Sequence, residues 1–229
     1  MRDVIVMMAI HSLHVIGKPT VNLTLETETI KIGESLILTC TVNGISKINT
    51  DVTRQFSKGS NGVLLCYNGH IKQKGKYKEI LSNRNTFSLM ITNVTESDVN
   101  SIYQCRYRFS TVKQMIGIND RNFEYEPTED TTLIEISKYN NNRFKKIQIN
   151  FTKIFPVPKC SAHTKTGKLK FKNTSVVKER IFYKVSFTSV YEVDEQCDIE
   201  LEINCTIGRF NPYIKRIPFI RCPAVNCKG

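Results

Sequence analysis

Eight cysteines give this sequence of 229 residues its main capacity for covalent chemistry. A thiolate can act as a nucleophile or bind a metal, and two thiols can be oxidised to a disulfide. Cys222 and Cys227 have a spacing that zinc could use, but the sequence offers no second ligand pair beside them. So many cysteines are unusual in a reduced cytosolic protein, and the sequence therefore predicts disulfides and an oxidising compartment.

Residues arranged for catalysis are not found in the sequence. It has four histidines, two of which, His11 and His14, lie near the N-terminus. A glycine-rich phosphate loop, a nucleophile elbow and a motif of paired carboxylates are all missing. We therefore expect a protein that is not an enzyme and that needs neither a cofactor nor a metal ion.

Five triplets match the acceptor pattern for N-linked glycosylation, in which serine or threonine follows asparagine by two positions. The candidate acceptors are Asn22, Asn93, Asn150, Asn173 and Asn204. Such triplets also arise by chance in a sequence rich in asparagine and threonine. They agree with the extracellular compartment that the cysteines predict.

The N-terminal segment contains an apolar run from Val4 to Gly17 behind Arg2, which predicts a signal peptide over residues 1–17. His11 and His14 interrupt the run, so an N-terminal strand is the alternative. The run is too short to span a membrane, and no later stretch reaches the roughly 18 apolar residues of a transmembrane helix. We therefore expect a secreted or extracellular protein without a transmembrane anchor.

The net charge of +12 implies attraction to polyanions, which outside the cell are mainly sulfated glycans. No nucleic-acid motif is present, so we expect no nucleic acid partner. Every second residue from 72 to 78 is a lysine: Lys72, Lys74, Lys76 and Lys78. On a strand this spacing places the four ammonium groups on one face. That face could bind a polyanion, could protect an edge strand from aggregation, or could be neutralised by the acidic segment 124–130.

Short alternating runs dominate the chain and predict β-strands. Apolar and polar residues alternate in Val21-Asn22-Leu23-Thr24-Leu25, and strand-like runs also end at Cys40 and cover 86–94. A glycine-containing turn at 57–62 precedes the run Val63-Leu64-Leu65-Cys66-Tyr67. Helical periodicity of useful length is absent. The sequence therefore predicts an all-β protein.

The surroundings of Cys40 and Cys105 resemble those of the two cysteines in an immunoglobulin-superfamily domain. Cys40 closes the run Ser35-Leu36-Ile37-Leu38-Thr39-Cys40, as on strand B, and Tyr103 precedes Cys105 by two residues, as on strand F. A separation of 65 positions suits a variable-type or intermediate-type domain. The resemblance covers residues 18–120. It implies a Cys40–Cys105 disulfide between two sheets, with Tyr103 at the corner, and a role in recognition.

The core tryptophan of strand C is missing, because the chain contains no tryptophan. Aligning Asp51-Val52-Thr53-Arg54-Gln55-Phe56 with strand C places Arg54 at the tryptophan position. A buried arginine is costly without a partner. Either Phe56 fills this space after a shift of register, or the core is unusual.

A second, divergent immunoglobulin-like domain is predicted over residues 131–229, after a linker over 121–130 that could also be the end of strand G. Phe155-Pro156-Val157-Pro158-Lys159-Cys160 resembles the connection from strand B to strand C in constant-type domains. Ile203-Asn204-Cys205-Thr206-Ile207 resembles strand F. The fold class expected from the resemblance is two tandem immunoglobulin-like β-sandwiches.

The second domain lacks the cysteine of strand B, since Asn150 or Phe151 lies in its place. The resemblance puts Cys160 on strand C, beside strand F in the same sheet, so it is the partner expected for Cys205. The remaining cysteines are Cys66, Cys197, Cys222 and Cys227. They allow three pairings, among which the sequence does not choose.

The resemblance also implies a partner surface on strands C, C′, F and G of the first domain. Residues that alternate with buried Cys105 must project outwards, and the expected centre of this surface is Tyr67, Arg106 and Arg108. We expect an extracellular protein that recognises a cell-surface or secreted protein in adhesion, guidance or receptor binding. The architecture is similar to secreted invertebrate recognition proteins of the beaten-path family. The alternatives are a secreted decoy that captures a host ligand and a glycosaminoglycan-binding matrix component.

Overall fold

The computed structural model describes residues 19–140, 144–164, 167–192, 199–208 and 211–220. The regular structure of these residues consists of β-strands, so the all-β prediction is confirmed. The predicted signal peptide lies outside the described residues. So do three cysteines whose pairing the sequence left open: Cys197, Cys222 and Cys227.

The first strands along the chain are β1 (Thr20–Leu25), β2 (Ile30–Lys31), β3 (Leu36–Asn43), β4 (Arg54–Lys58), β5 (Val63–Tyr67), β6 (His70–Ile71), β7 (Tyr77–Leu81), β8 (Thr86–Ile91), β9 (Ser101–Tyr107), β10 (Ser110–Ile116) and β11 (Phe123–Glu124), of which β2 and β11 form a small sheet of their own. The strands of the second sandwich are β12 (Thr132–Tyr139), β13 (Phe144–Ile154), β14 (Lys159–Thr164), β15 (Gly167–Lys170), β16 (Lys172–Glu179), β17 (Phe182–Glu192), β18 (Ile199–Ile207) and β19 (Asn211–Ile220).

The first sandwich has a sheet with the order β1-β3-β8-β7 and a sheet with the order β10-β9-β4-β5-β6, which we call the front sheet. Alternation directs one face of each strand inward, because successive side chains on a strand point to opposite faces. On β9, Tyr103, Cys105 and Tyr107 are buried. A disulfide joins Cys105 to Cys40 on β3 of the other sheet, as the resemblance implied.

Phe56 occupies the space that the missing tryptophan leaves. It lies directly opposite Cys105 in the pairing of β4 with β9 and is completely buried. Its ring contacts Phe87 edge to face, with the ring centroids 5.1 Å apart. Phe56 is therefore a core residue, and the core is also unusual because Arg54 is buried beside it in sequence.

Arg54 is buried as well, and it has the partner that its burial requires. Its Nε donates to Oε1 of Glu79 at 3.0 Å and its Nη2 to Oε2 at 3.1 Å, while Nη1 donates to the carbonyl of Thr50 at 3.0 Å. Both side chains of the pair are only 6% exposed. Because β4 and β7 belong to different sheets, this two-pronged pair ties the sheets together.

The second sandwich packs a sheet with the order β12-β13-β17-β16 on one with the order β15-β14-β18-β19. Its core includes Ile149, Phe187 and Ile203. Phe151 on β13 lies where the strand-B cysteine was expected; it is buried, and its ring is 6.2 Å from that of Phe187. The tandem-sandwich fold expected from the sequence is thus the fold observed.

The disulfide of the second sandwich joins Cys160 on β14 to Cys205 on β18, as predicted. The two residues lie directly opposite each other on neighbouring strands of one sheet. The disulfide of the second sandwich therefore joins two strands of one sheet, whereas the disulfide of the first sandwich joins its two sheets.

Contacts divide the chain into two compact units. The described residues up to Leu25, Ile37–Met90 and Ile102–Gln114 form one, and Glu26–Leu36, Ile91–Ser101 and the described residues from Met115 onward form the other. In the second unit, β2 and β11 pair in parallel, and Tyr125 exchanges main-chain hydrogen bonds with Phe155 at 2.8 and 3.2 Å. The limits 18–120, 121–130 and 131–229 remain predictions. Among the described residues, no helix has the length and apolar character needed to cross a bilayer.

Candidate recognition surface

Three side chains lie in one row across the outer face of the front sheet. Gln55 on β4 is paired with Tyr67 on β5 and, on its other side, with Arg106 on β9. Since neighbouring strands are about 4.8 Å apart, the Cα atoms of Tyr67 and Arg106 are roughly 10 Å apart. Tyr67 is 41% exposed. The structure thus brings two of the predicted partner-binding residues onto one surface.

Arg108 does not continue the β9 strand face, contrary to the expectation from alternation. The strand ends at Tyr107, and Arg108 lies in the turn to β10 with a positive φ of 52°. The Nε of Arg106 donates to the Arg108 carbonyl at 2.7 Å, and the amide of Arg108 donates to the Thr53 carbonyl at 2.7 Å. These bonds place Arg108 at the end of the sheet, exposed beside the row.

Sequence reasoning missed the most prominent residue of this surface, Phe109. It follows Arg108 in the same turn and is 95% exposed. A large apolar side chain in a turn between two strands was the available signal, since turns favour small and polar residues. Other exposed apolar residues on the strands of the front sheet are Val63, Leu64 and Met115.

The front sheet is basic. Its five strands and the hairpin turns 59–62, 68–69 and 108–109 contain no aspartate or glutamate. Lys58, Arg106, Arg108 and Lys113 contribute positive charge, whereas the charge of Arg54 is neutralised inside the sandwich by Glu79. A surface of one sign attracts partners of the opposite sign and sets the rate at which they meet.

The four alternating lysines do not share one strand face, so that prediction is wrong. Lys72, Lys74 and Lys76 lie between β6 and β7, and Lys78 is on β7 of the other sheet. The reason is a turn closed at Gln73, whose carbonyl accepts the amides of residues 76 and 77 at 2.9 and 3.0 Å. Their binding of a polyanion stays a prediction.

A shallow groove of about 450 Å³ brings one of these lysines to the front sheet. Lys72 and Lys58 line it together with Leu64 and Tyr77. The groove can therefore offer two ammonium groups beside apolar surface.

Cys66 on β5 is a free, completely buried thiol. The expectation that it belongs to a disulfide is therefore wrong. Burial, followed by the negative charge of Glu79, raises the pKa of the Cys66 thiol to about 11. The thiol stays protonated at neutral pH and is a poor nucleophile. In the part of the chain that is described, no group of three or more histidine, cysteine or acidic residues could hold a metal ion.

The five glycosylation candidates fall into two groups. Asn22 on β1, Asn93 after β8 and Asn173 on β16 are exposed. Asn150 and Asn204 are half-buried on interior strands, where Oδ1 of Asn150 accepts from Ser186 at 2.7 Å and Nδ2 of Asn204 donates to Glu202 at 3.2 Å. The first group can carry an oligosaccharide without rearrangement of the sheets.

Two sandwiches, with a cross-sheet disulfide in the first, define a protein with the immunoglobulin fold. The fold is similar to the full ectodomain (Ig1–Ig3) of mouse nectin-like molecule 4, with a TM-score of 0.64 and 12% identity, over 83% of this chain and 65% of that one. It is also similar to bovine butyrophilin, with a TM-score of 0.59 and 13% identity, over 87% of this chain and 99% of that one. No family model and no curated protein matches the sequence.

Proposed function

We propose that this chain is an extracellular recognition protein that binds another protein through the outer face of its front sheet. The row Tyr67–Gln55–Arg106, with Phe109 projecting beside it, carries the proposal. Arginine, tyrosine and phenylalanine are enriched at the centres of protein interfaces. The similarity to a nectin-like ectodomain supports an extracellular setting.

The partner proposed is a cell-surface or secreted protein with an acidic surface. The front sheet carries no carboxylate on its strands or hairpin turns, so an acidic partner would meet little repulsion. Adhesion, guidance, receptor binding and capture of a host ligand as a decoy all use such an interface. The identity of the partner separates these roles.

The test begins with the full chain, tagged and incubated with intact cells, followed by cross-linking and identification of the bound surface protein. The purified partner is then titrated against the wild type and Arg106→Ala/Arg108→Ala. Truncating interface anchors costs more than about 1–2 kcal/mol, so we expect at least roughly tenfold weaker binding. The melting temperature should hardly change.

The matched control removes two exposed arginines elsewhere, Arg84 and Arg121, and lowers the net charge by the same amount. We expect Arg84→Ala/Arg121→Ala to bind like the wild type. Equal losses in the two double variants would mean that total charge, and not the front sheet, governs binding. The proposed surface would then be wrong.

A further inference from the structure

All eight residues of the edge strand β16 are exposed. It lies at the end of the sheet β12-β13-β17-β16, so one side of its main chain has no neighbouring strand among the described residues. Val176 and Val177 lie opposite Val185 and Lys184 and therefore point to the two faces of the sheet. They are nevertheless 45% and 49% exposed. Such an edge is a template for pairing with another chain.

Some other edge strands of the described structure carry exposed charge that discourages this pairing. Exposed Lys78 lies on β7, while the short strand β15 contains Lys168 and Lys170. In β16 the charged residues are at the ends, and the stretch from 173 to 177 has no charge. This uncharged stretch begins with the acceptor triplet Asn173-Thr174-Ser175.

The edge strand β1 shows the same combination independently. Its six residues, Thr20–Leu25, include no charged side chain, and it lies at the end of its sheet. Asn22, another exposed acceptor, is in this strand. Two of the three exposed acceptors thus lie in uncharged stretches of edge strands, whereas the half-buried candidates are on interior strands.

We propose that an N-linked oligosaccharide at Asn173 covers the open edge of β16 and prevents it from pairing with another copy of the chain. The donor is a lipid-diphosphate-linked oligosaccharide. The Nδ2 atom of Asn173 loses a proton and bonds to the anomeric carbon of the first sugar. The bond between this carbon and the diphosphate breaks, and the lipid diphosphate leaves with the electron pair.

The local geometry suits a bulky modification. Asn173 lies opposite Phe187 and Ser175 opposite Ser186, so the register shifts between them and Thr174 is left without a partner in the ladder. Thr174 instead donates its hydroxyl to the Ser186 carbonyl at 3.1 Å. Such a bulge bends an edge strand locally. A hydrated glycan at this point excludes a second strand by its volume and needs no change in the sandwich.

The experiment uses the full chain secreted from eukaryotic cells, with glycosylation mapped by peptide mass spectrometry. Ser175→Ala removes the acceptor triplet but retains Asn173. The control is Asn93→Asp, which removes an exposed acceptor in a turn and keeps a residue type that tolerates the positive φ of 47°. Light scattering after size-exclusion chromatography then gives the molecular mass over a range of concentrations.

We expect Asn173 to be occupied and the wild type and Asn93→Asp to be monomers. Ser175→Ala should self-associate at least about tenfold more tightly than the wild type. Adding Val177→Glu, which places a charge opposite Lys184 on the edge, should restore the monomer. Trimming the glycans of the folded wild type with an endoglycosidase should reproduce the association without any mutation.

Two results would overturn this proposal. One is an unoccupied Asn173 in the secreted wild type. The other is a Ser175→Ala protein, or a trimmed wild type, that stays monomeric over the range used for the control. Because the edge lies in the second sandwich, neither result depends on whether the front sheet binds a partner.

Discussion

Arg54 can be buried because both carboxylate oxygens of Glu79 accept hydrogen bonds from its guanidinium. The sequence indicated the cost of this arginine but not its partner, which lies 25 positions away on another sheet. A buried pair is weak evidence for net stability, since both ions lose their hydration. Removing one member alone is different, because the remaining charge is left without compensation.

We therefore expect Glu79→Ala to lower the free energy of unfolding by about 3–5 kcal/mol in urea titrations. Arg54→Met/Glu79→Leu should recover most of this loss. The control is Glu179→Ala, which breaks a pair with Lys184 whose side chains are 53% and 51% exposed. Exposed pairs contribute about 1 kcal/mol or less. A loss for Glu79→Ala no larger than for Glu179→Ala would contradict the role assigned to the buried pair.

The raised pKa of the Cys66 thiol predicts that the stability of the fold depends on pH. The pKa of its thiol is about 11 in the folded chain and 9.0 without the surrounding protein. Between these values the unfolded chain loses the proton while the folded chain keeps it, so stability falls as pH rises from 9.0 towards 11. Below pH 9.0 the contribution is fully present.

Other groups also titrate in this range, and burial raises the pKa of Tyr191 as well. The informative quantity is therefore the difference between the wild type and Cys66→Ala in urea unfolding across pH 8–11. Alanine leaves a cavity whose cost does not depend on pH. We expect the difference to shrink at high pH, and parallel curves would show that the thiol does not contribute.

The hairpin of β9 and β10 exposes Phe109 in a turn where the amide of Arg108 donates a hydrogen bond to the Thr53 carbonyl. An exposed ring contributes little to folding but can bury a large area in a complex. Phe109→Ser should therefore weaken binding to the purified partner by at least roughly tenfold and leave the melting temperature unchanged.

Tyr139→Ser is the control for Phe109, since Tyr139 on β12 is 52% exposed and outside the front sheet. It removes a comparable aromatic ring. If Phe109→Ser and Tyr139→Ser bind the partner with equal affinity, the hairpin is outside the interface. If Phe109→Ser lowers the melting temperature, its effect on binding would have to be separated from unfolding.

The pairing of the cysteines was predictable because a disulfide depends on which strands are neighbours, and the strand order follows from the family resemblance. Cys160 and Cys205 were paired on this basis, and they lie opposite each other. Alternation failed for Lys72 to Lys78, because main-chain bonds to Gln73 close a turn that side-chain spacing does not reveal. The free thiol of Cys66 depends on burial in the folded core, which is not readable from cysteine counts.

At the scale of the whole molecule, a net charge of +12 acts on any negative partner, whatever the local contacts. Long-range attraction is screened over a Debye length of about 8 Å at physiological ionic strength. Exposed lysines should therefore control the rate of association and its dependence on salt. Anchors in a buried contact should control dissociation.

Replacing all members of the alternating lysine set by serine lowers the net charge from +12 to +8. The set is Lys72, Lys74, Lys76 and Lys78. We expect this variant to bind the partner at physiological salt with a flatter salt dependence, measured by surface plasmon resonance at several ionic strengths. Arg106→Ala/Arg108→Ala should instead dissociate faster at every ionic strength. The opposite pattern would be that the lysine replacements abolish binding, that Arg106→Ala/Arg108→Ala does not change it, and that immobilised heparin gives the same result. This pattern would establish a glycosaminoglycan-binding protein and contradict recognition through the front sheet.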